Sequence, residues 1–405
     1  MKHDFDLVIV GAGAVGSALA CALRDSGLDI ALLDARRPEK FVPEAELDLR
    51  VFALSQASIR ILGALGAWQT IRAARVAPYR EMQVWDAGGA GRLHFDCADV
   101  GEPWLGCIVE NRLIQSALWQ SLESAHAVTL LAPASLKQLQ TDADGVRFTL
   151  DSGRHGRARL LVAADGAASA TRQLLGIGTH GWSYDQRAIV AHLNVEKPHR
   201  DTAWQRFLPG GPLALLPLAD GRVSLVWSAD TARAQALEAL DDAAFNAAVG
   251  TASEHVLGRV TGTTRRAGFP LQLMHAARYS GPRCVLIGDA AHVVHPLAGQ
   301  GVNLGLLDAA VLAETLMQAM TQQRDLGDPG VLRRYERARK ADTLLMMYAL
   351  DGLKRLFSND NAMLARLRND GMRAVDRFTP LKSVFVRRAM GLSGELPALA
   401  RANVA

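Results

Sequence analysis

The sequence contains few cysteines, and their spacing excludes two classes of small stabilised site. Only Cys21, Cys97, Cys107 and Cys284 occur among 405 residues, and none of them forms a CxxC pair or a zinc-finger spacing. A disulfide framework and a cysteine-ligated zinc site are therefore not expected. The pattern is typical of buried free thiols in a protein of the reducing cytosol.

An excess of charge of one sign is also lacking, since 45 basic and 41 acidic residues leave a formal net charge of +4. Such a small and scattered excess does not predict nucleic-acid binding. No stretch reaches the roughly 18–20 uninterrupted apolar residues of a membrane span. Asp4 and Asp6 stand where a secretory signal carries positive charge, so a signal peptide is rejected. The sequence predicts a cytoplasmic protein that is soluble or peripheral to the inner membrane.

What the chain does contain begins with a nucleotide-binding pattern near its N-terminus. The apolar run Phe5–Val10 predicts a buried parallel strand, and the segment GAGAVG at residues 11–16 follows directly. A predicted helix over residues 17–26 leads to a second strand, Ile30–Leu33, which is followed by Asp34. This order of strand, GxGxxG, helix, strand and acid indicates a Rossmann-type dinucleotide site.

The glycines of this segment have distinct predicted roles. Gly11 permits the tight turn, Gly13 lets the backbone approach a pyrophosphate, and Gly16 lets the helix pack on the sheet. The helix N-terminus offers N–H groups and a positive dipole end to the phosphates. Asp34 is expected to accept hydrogen bonds from ribose hydroxyls. The pattern fits NAD as well as FAD and does not choose between them.

Two further strand ends favour FAD. The run LLVAADG at residues 160–166 ends in Asp165 and Gly166, and the run CVLIGDAAH at residues 284–292 contains Asp289. The second run continues through HPLAGQGVNLG, whose glycines allow the backbone to lie against a flat ring. An acid at a strand end can bind a ribitol hydroxyl. A helix that begins near Val302 would stabilise the negative charge of a reduced flavin.

Together these blocks resemble the single-component aromatic hydroxylases of the para-hydroxybenzoate hydroxylase type. The run HPLAGQGVNLGLLDAA is similar, more narrowly, to the ubiquinone-biosynthesis hydroxylases, and segments of the tail such as YERARK most resemble their 2-polyprenylphenol hydroxylase branch. The resemblance extends along nearly the whole chain. It implies an α/β fold, in which a Rossmann-type FAD-binding domain is joined by a substrate domain with a mixed or antiparallel sheet and by a C-terminal helical region.

The resemblance implies an FAD-dependent monooxygenase that hydroxylates a polyprenylated phenol, a quinone precursor of ubiquinone biosynthesis. NAD(P)H would reduce FAD, and O2 would then add at flavin C4a to give a hydroperoxide. A ring carbon of the electron-rich phenol would attack its electrophilic terminal oxygen. A pathway complex, an oligomer and contact with a membrane are possible partners that the sequence leaves open. The predicted cofactor-binding residues are Gly11, Gly13, Ala14, Val15, Gly16, Asp34, Arg36, Arg50, Asn111, Asp165, Gly166, Gly288, Asp289, Pro296, Gly299, Gln300, Gly301, Val302 and Asn303.

Two of these predictions depend on the resemblance alone. Arg50, in the segment LRV followed by ALS, would lie near the isoalloxazine and the pyrophosphate. Asn111 stands where many relatives carry an arginine, and Arg112 is one position out of register, so this contact is less firmly implied. No second GxGxxG is present for the nicotinamide cofactor. The family pattern places that cofactor near Arg172 and the Asp-Gly block.

The motifs predict a flavin domain interrupted by inserts that form the substrate domain. Strands expected around residues 204–227 would line a cavity over the flavin. The tail is expected to be helical, with breaks at Gly371 and Pro380. The predicted segments are 1–76, 106–177 and 281–348 for the FAD-binding domain, 77–105 and 178–280 for the substrate domain, and 349–405 for the C-terminal helical region.

Basic residues outnumber acidic ones in the tail after about Asp351. One interpretation is docking to an anionic membrane surface or to a partner complex. A solvated helix face or an oligomer contact explains the same pattern. Both interpretations remain open at this point.

Two histidines adjoin the third glycine-rich segment. His292 and His295 lack the Glu of an HExxH motif and a third ligand, so no metal is expected. His295 is the candidate catalytic residue, as a proton relay, with packing as the alternative, and His292 is expected to hold the loop. The run PLALLP at residues 212–217 is either a wall for a prenyl tail or plain core.

Three alternative functions remain. The chain could hydroxylate another ring carbon of the same pathway, or a small soluble phenol. It could be a flavin-dependent reductase of the geranylgeranyl reductase type, or a flavin-binding scaffold without activity. The ring carbon, and the choice between NADH and NADPH, cannot be read from these motifs.

Overall fold

The computed structural model describes residues 3–295, 299–358 and 362–401 of the chain. Within these residues, twenty strands form three sheets, and twelve α-helices pack against them. Two of the sheets are large, with eight and nine strands, and the third has three.

The eight-stranded sheet has a parallel centre. There β1 (Phe5–Val10) pairs with β2 (Ile30–Leu33) on one side and with β11 (His155–Ala163) on the other. The next neighbours, β8 (Val128–Leu131) and β19 (Cys284–Leu286), are also parallel. Every residue of β2 is buried, as expected for a parallel strand covered on both faces. The antiparallel members are β9 (Leu136–Thr141), β10 (Val146–Leu150) and β18 (Ser280–Gly281).

The carboxyl ends of these parallel strands meet at one edge of the sheet. The Gly11 N–H donates to the Leu33 carbonyl, and the Ala164 N–H donates to the Val10 carbonyl, both at 2.7 Å. The Ile287 N–H donates to the Ala163 carbonyl at 3.0 Å. The turns that follow β1, β11 and β19 are therefore side by side, at the position where open α/β sheets bind ligands.

The nine-stranded sheet is antiparallel except for one parallel pair, β5 with β13. Helices α6 (Thr231–Glu238) and α7 (Asp242–Ala252) cover one face, and Phe245 and Val249 are fully buried there. The strands are β5 (Glu81–Asp86), β6 (Arg92–Asp96), β12 (Thr179–Val195), β13 (Thr202–Leu208), β14 (Gly211–Pro217), β15 (Val223–Asp230), β16 (Val260–Thr263), β17 (Ala267–Ala276) and β20 (His292–Val293).

The small sheet contains β3 (Val51–Ser55), β7 (Gly106–Glu110) and β4 (Ala77–Tyr79), all antiparallel. Its strand β4 lies against β14 of the nine-stranded sheet. The remaining helices before the tail are α1 (Ala14–Leu23), α2 (Gln56–Ala64), α3 (Trp68–Ala74), α4 (Asn111–Glu123), α5 (Ala170–Leu174) and α8 (Gln300–Thr321).

At two places, strands pair across the boundaries of the predicted domain segments. β20 lies in a segment assigned to the FAD-binding domain but pairs with β17 of the nine-stranded sheet. β4 lies in a segment assigned to the substrate domain but pairs with β7. The predicted domain boundaries stay a prediction.

The tail forms α9 (Pro329–Phe357), α10 (Ala362–Arg377), α11 (Thr379–Ala389) and the short α12 (Ala398–Arg401). The expected break at Gly371 is wrong, because this residue lies inside α10. One glycine costs a helix only about 1 kcal/mol, which packing of the helix can offset. Pro380 lies in the first turn of α11, where proline is tolerated.

A buried polar contact holds α10 against the nine-stranded sheet. Arg368 Nε donates to Asp86 Oδ2 at 2.7 Å, and the two side chains are 5% and 1% exposed. Asn369 Nδ2 donates to the same carboxylate oxygen at 3.0 Å. The C-terminal helical region is therefore fastened to β5 by a paired charge in the interior.

Helix α8 is long and apolar enough, by length and composition, to cross a membrane. However, 61% of its most apolar window is buried inside the protein, against α1, α2 and α9. Core helices of ordinary globular proteins meet the same criteria, so this is weak evidence for a span.

Candidate functional site

The turn after β1 requires glycine at two positions. Gly11 has a φ of +107°, and a Cβ there would lie 2.3 Å from the Ala164 carbonyl oxygen. A Cβ on Gly16 would lie 1.9 Å from the Gly11 carbonyl oxygen. Both approaches are far inside van der Waals contact, so the turn cannot form with larger residues without moving the backbone.

Gly13 is different, because the space around it is open. Its φ of −66° suits any residue, and the nearest atom to an added Cβ, Gln115 Nε2, would be 3.8 Å away. Helix α1 begins at Ala14, and no side chain caps its first turn. The fold therefore leaves both the space beside Gly13 and the N–H groups of this helix end available to a ligand.

Asp34 holds the glycine-rich turn from the end of β2. Its Oδ2 accepts a hydrogen bond from the Ala12 N–H at 2.7 Å, and its Oδ1 accepts one from the Arg36 N–H at 2.9 Å. Each carboxylate oxygen retains a further acceptor position, as ribose binding requires. The Arg36 side chain is exposed beside it.

The turn after β11 is organised by Asp165. This carboxylate accepts hydrogen bonds from the Ser169 hydroxyl and from the Thr171 N–H. Gly166 follows with a φ of +82°, and nothing lies within 4 Å of the Cβ that it lacks. Asp165 therefore shapes this turn, while Gly166 keeps its surface open.

Arg172 connects the second turn to the third. Its guanidinium donates to the Ala167 and Ala290 carbonyls, each at 2.9 Å, and the residue is 7% exposed. Burial lowers the pKa of this arginine, and the charge of Asp165 opposes that effect. Arg172 thus positions both turns. The predicted binding of the nicotinamide cofactor near Arg172 and the Asp-Gly block stays a prediction.

A fully buried carboxylate fixes the third turn. Asp308, on α8, accepts hydrogen bonds from the Gly288 N–H at 2.9 Å and from Arg339 Nε at 2.7 Å. His292 Nε2 lies 2.6 Å from the same carboxylate. Burial raises the pKa of Asp308, but the charges of His292 and Arg339 outweigh that effect and lower it. Asp308 is therefore an ionised centre that holds Gly288 and His292 in place.

Asp289, next to Gly288, has no such partner. Among the residues that the structure describes, none forms a hydrogen bond with its carboxylate. Burial raises its pKa, while the charges of His292 and Arg50 oppose the rise. Its Oδ1 lies 4.0 Å from the Cβ that Gly301 lacks. An acceptor-only carboxylate thus faces the first turn of α8, beside two glycines that leave room for a ligand.

Packing brings the first and third turns together. The Val15 side chain would lie 3.3 Å from a Cβ on Gly288 and 2.6 Å from one on Gly305. Val15 and Val302 are therefore packing residues as well as candidate contacts through their backbone. The three strand-end turns converge on one place, as the sequence predicts.

Asn303 organises the loop before α8. Its Oδ1 accepts hydrogen bonds from the Ser55 N–H and the Ser58 hydroxyl, and its Nδ2 donates to the Ala53 and Gly299 carbonyls. All four hydrogen-bonding positions of the amide are thereby used. The predicted cofactor contact can therefore involve only the Asn303 backbone. Gly299 itself has a φ of +61° and lies against Ala53.

Arg50 directly precedes β3, and Asn111 directly follows β7, the strand with which β3 pairs. The Asn111 N–H donates to the Arg50 carbonyl at 2.9 Å, and Asn111 Nδ2 donates to Gln115 Oε1 at 3.4 Å. Gln115 in turn faces Gly13. Burial raises the pKa of Asp289, and the Arg50 charge opposes that rise because it favours the ionised form of the carboxyl. Both residues border the site, and their contacts with a cofactor stay a prediction.

His295 is buried between the third turn, which follows β19, and the C-terminal helical region. Its ring meets the Tyr184 ring edge-on, with centroids 5.1 Å apart, and the residue is 1% exposed. Burial and the Lys354 charge lower the pKa of His295 to about 4, with Asp351 opposing. Its imidazole is therefore neutral at physiological pH. Pro296, the next predicted contact, lies outside the described residues.

Tyr184 and Asp351 complete this group. Sequence placed Tyr184 in the substrate insert without a role and gave Asp351 none. The Tyr184 hydroxyl donates to Asp351 Oδ1 at 3.0 Å, and Arg355 Nε donates to Asp351 Oδ2 at 2.7 Å. Burial and the Asp351 hydrogen bond raise the pKa of Tyr184 beyond its usual range. The phenol therefore remains a hydrogen-bond donor and fixes the edge that His295 contacts.

Asp308 and Arg339 were also missed. The available signal was an acid in the apolar face of α8, three positions after Gly305, and an arginine in the RARKAD run. His292 was expected to hold the loop, and its bond to Asp308 gives it that position. Neither His292 nor His295 is part of a group that could share a metal ion in the described chain.

The arrangement fits a flavin dinucleotide. A half-buried carboxylate at Asp289, open glycines at Gly13 and Gly301, and an uncapped helix end lie where the ribitol, ring and pyrophosphate parts would be held. Gln300 is buried beside them, and Nε2 donates to the Ala389 carbonyl at 3.5 Å.

The family described as FAD binding domain matches residues 4–347. The 3-demethoxyubiquinol 3-hydroxylase of Escherichia coli (strain K12) is 39% identical over 387 residues, covering 96% of this chain and 98% of that protein. Ubiquinone hydroxylase UbiL of Rhodospirillum rubrum is 42% identical over 399 residues, covering 98% of this chain and 92% of that protein.

Solved structures give a similar result. The crystal structure of PqsL, a probable FAD-dependent monooxygenase from Pseudomonas aeruginosa, superposes with a TM-score of 0.77 at 25% identity. The alignment covers 91% of this chain and 99% of that one. The fold that brings the three turns together in this chain is therefore shared with PqsL.

Proposed function

This chain belongs to the FAD binding domain family and is an FAD-dependent monooxygenase, and from this we propose that it hydroxylates a polyprenylated phenol in ubiquinone biosynthesis. The names of the two relatives support the pathway. The resemblance of the sequence to the 2-polyprenylphenol hydroxylase branch supports a polyprenylphenol as the substrate whose ring is hydroxylated. A relative named for a 3-hydroxylase of demethoxyubiquinol favours a second candidate, a later ring carbon of the same precursor.

The observation that carries the proposal is that the turns containing Gly13, Asp165 and Asp289 lie side by side, with the half-buried Asp289 carboxylate forming no hydrogen bond to any described residue. When bound there, FAD supplies the redox chemistry of oxygen transfer, with NAD(P)H as reductant and O2 as oxygen donor. We assign the pyrophosphate to Gly11, Gly13 and the α1 N-terminus, and a ribitol hydroxyl to Asp289. The open Gly299 and Gly301 backbone would lie against the ring.

The protein's own contribution is position, dryness and proton handling. The side of the site beyond His295 is apolar, since Val294, Leu304, Phe207 and Met347 belong to one buried cluster. Such a surface excludes water from the reacting ring. It also suits a prenyl tail, each buried CH2 of which stabilises binding by about 0.8 kcal/mol.

We assign different residues of the PLALLP run, residues 212–217, to its two candidate roles, a wall for a prenyl tail and plain core. Leu213 and Leu215 point into the core under α6 and α7. Leu216 points to the other face and packs, as do Val51 and Ala53 of β3, against one buried cluster that contains Ala77 and Ile108. Because Ala53 touches Gly299, we propose Leu216 as part of the substrate wall and the other two leucines as plain core.

The test is mass spectrometry of quinone precursors in a strain that lacks this gene. We expect an unhydroxylated polyprenylphenol to accumulate, and wild-type protein to remove it while Asp289→Ala does not. Accumulation of a demethoxyubiquinol would instead assign the later ring carbon. An unchanged quinone profile, or no oxygen consumption coupled to a hydroxylated product, would reject the proposal in favour of a reductase or a scaffold.

We further propose that His295 moves the proton of the phenol. Replacing His295 by asparagine should lower the hydroxylation rate by about 100-fold, because a positioned acid–base group contributes at least that much. Flavin reduction by NAD(P)H should be unchanged. Stopped-flow absorbance separates the two half-reactions, and Tyr184→Phe, which keeps the ring edge but loses the Asp351 bond, should have a smaller effect. Full-speed hydroxylation by the asparagine variant would contradict the role.

The same residue predicts a pH dependence of stability. Between pH 6.5, its ordinary pKa, and about 4, unfolded chains take up a proton at His295 that the folded protein does not. The free energy of unfolding should therefore decrease over this window as the pH falls. The decrease should be smaller in His295→Asn, as denaturant titrations at each pH would show.

A further inference from the structure

The strongest uncovered surface of the molecule lies on α10 and α11. Of the 14 large apolar side chains exposed in the described chain, six lie between residues 363 and 385. They are Met363, Leu367, Phe378, Leu381, Val384 and Phe385, with exposed fractions from 40% to 76%. We call these six residues the apolar face. Isolated exposed apolar residues are normal, but a group on consecutive helices indicates an interaction site.

Helix geometry places the members of each helix together. Met363 and Leu367 are one turn apart on α10, and Leu381, Val384 and Phe385 follow the i, i+3, i+4 spacing on α11. Each helix is therefore amphipathic, with an apolar stripe on the side that tertiary packing leaves open.

The two stripes point to the same side of the molecule. The opposite side of α10 packs on β6, where Asn369 accepts the Gly91 N–H, and the opposite side of α11 packs on residues 97–100 through Val386 and Met390. β6 runs directly into residues 97–100. Because both helices rest on one continuous segment, their outer faces look away from it together.

The charge of this region identifies the partner. Residues 352–405 carry ten basic and four acidic residues, whereas residues 1–351 carry 35 and 37. Arg366, Arg377 and Arg387 are exposed on the two helices and form no ion pair with any residue that the structure describes. Exposed apolar side chains and unpaired arginines on the same two helices match an anionic lipid surface, which takes up the former and neutralises the latter. The exposed Asp370 of α10 is already paired with Arg373.

We propose that the apolar face and these three arginines dock the protein on an anionic bilayer. This proposal rests on the proposed function, because membrane docking serves an enzyme whose proposed substrate is a lipid. The inner side of α9 and α10 contributes Phe357 and Met372 to the apolar cluster that contains Val294, next to His295. Docking through α10 and α11 therefore places the bilayer on one side of these helices and the candidate substrate cluster on the other.

The experiment is flotation of the full-length holoprotein with vesicles of phosphatidylcholine alone or mixed with phosphatidylglycerol. We expect binding only to the mixed vesicles. Raising the ionic strength from about 0.1 M to about 1 M shortens the screening length from about 10 Å to about 3 Å and should release most of the protein. Binding that is equal on both vesicles, or absent, would overturn the proposal.

Variants localise the surface. The triple variant Arg366→Gln, Arg377→Gln, Arg387→Gln should bind mixed vesicles about 100-fold more weakly. Val384→Asp with Phe385→Asp should weaken binding by at least about 10-fold. The matched controls are Arg72→Gln, Arg233→Gln, Arg265→Gln together, and Phe269→Asp, which change exposed residues elsewhere and should bind as wild type. If the control variants weakened vesicle binding to the same extent, net charge alone would explain the effect. The assignment of the docking surface to α10 and α11 would then be overturned.

Two measurements separate other outcomes. Flavin content and activity on a short-chain phenol, taken on the same preparations, report on folding and on the proposed function independently of lipid. Light scattering reports on a second copy of the chain as occupant. A wild-type dimer that Val384→Asp with Phe385→Asp converts to a monomer would show that the face joins two copies, and lipid docking would then be rejected.

Discussion

Replacing Asp308 by asparagine should lower the free energy of unfolding by about 3–5 kcal/mol and release FAD from the protein. The substitution keeps the shape of the side chain but removes the charge that compensates Arg339, which is 4% exposed. It also weakens the acceptor of the Gly288 N–H, which fixes the turn beside Asp289. Denaturant unfolding and flavin absorbance after gel filtration measure the two effects.

The control for this prediction uses the same arginine. Asp342 lies 3.7 Å from Arg339 Nη1, but its side chain is 60% exposed, so Asp342→Asn should change stability by less than about 1 kcal/mol. Equal losses in the two variants would show that burial does not determine the strength of this interaction. Retention of FAD by a destabilised Asp308→Asn protein would show that the turn tolerates loss of its anchor.

The second large effect separates cofactor contact from backbone packing. Gly13→Ala should lower the stability of the cofactor-free protein by no more than about 1 kcal/mol, because a Cβ there meets nothing closer than 3.8 Å and only the N-cap preference of glycine over alanine is lost. It should weaken FAD binding by about 100-fold, since the same Cβ would occupy the space that we assign to the pyrophosphate. Fluorescence titration of the cofactor-free protein with FAD measures the affinity.

Gly16→Ala is the matched variant, with an added methyl group three residues away. Its Cβ would meet the Gly11 carbonyl oxygen at 1.9 Å, so the turn must move even without a ligand. We expect it to unfold at lower denaturant concentration than Gly13→Ala in the absence of FAD. If both variants bound FAD as wild type, the glycine-rich turn would not be the pyrophosphate site.

The parts of the fold that were predictable are those determined by neighbouring residues. The α/β fold is confirmed, and β1 and β2 occupy the ranges that their apolar runs predict. Helix α1 begins at Ala14 and not at residue 17, because Gly13 itself serves as its N-cap. Glycine turns and strand ends are local chemistry, which is why the nucleotide motif and its geometry agree.

The parts that sequence missed depend on residues far apart in the chain. Asp308 and Arg339 are 31 positions apart, and Tyr184 and Asp351 are 167 apart. Nothing in either neighbourhood indicates the partner, because only tertiary packing makes these carboxylates meet a cation or a phenol. Asn303 shows the converse: its place in the motif was recognised, but its side chain serves the protein and not the ligand.

The Asp86–Arg368 pair has a consequence for how the chain can be shortened. A protein that ended before residue 362 would lose both Arg368 and Asn369, which bind and cover the Asp86 carboxylate at the end of β5. The tail is therefore a structural member of that sheet and not a removable appendage. Its loss would expose to water a face of the nine-stranded sheet that α10 now covers.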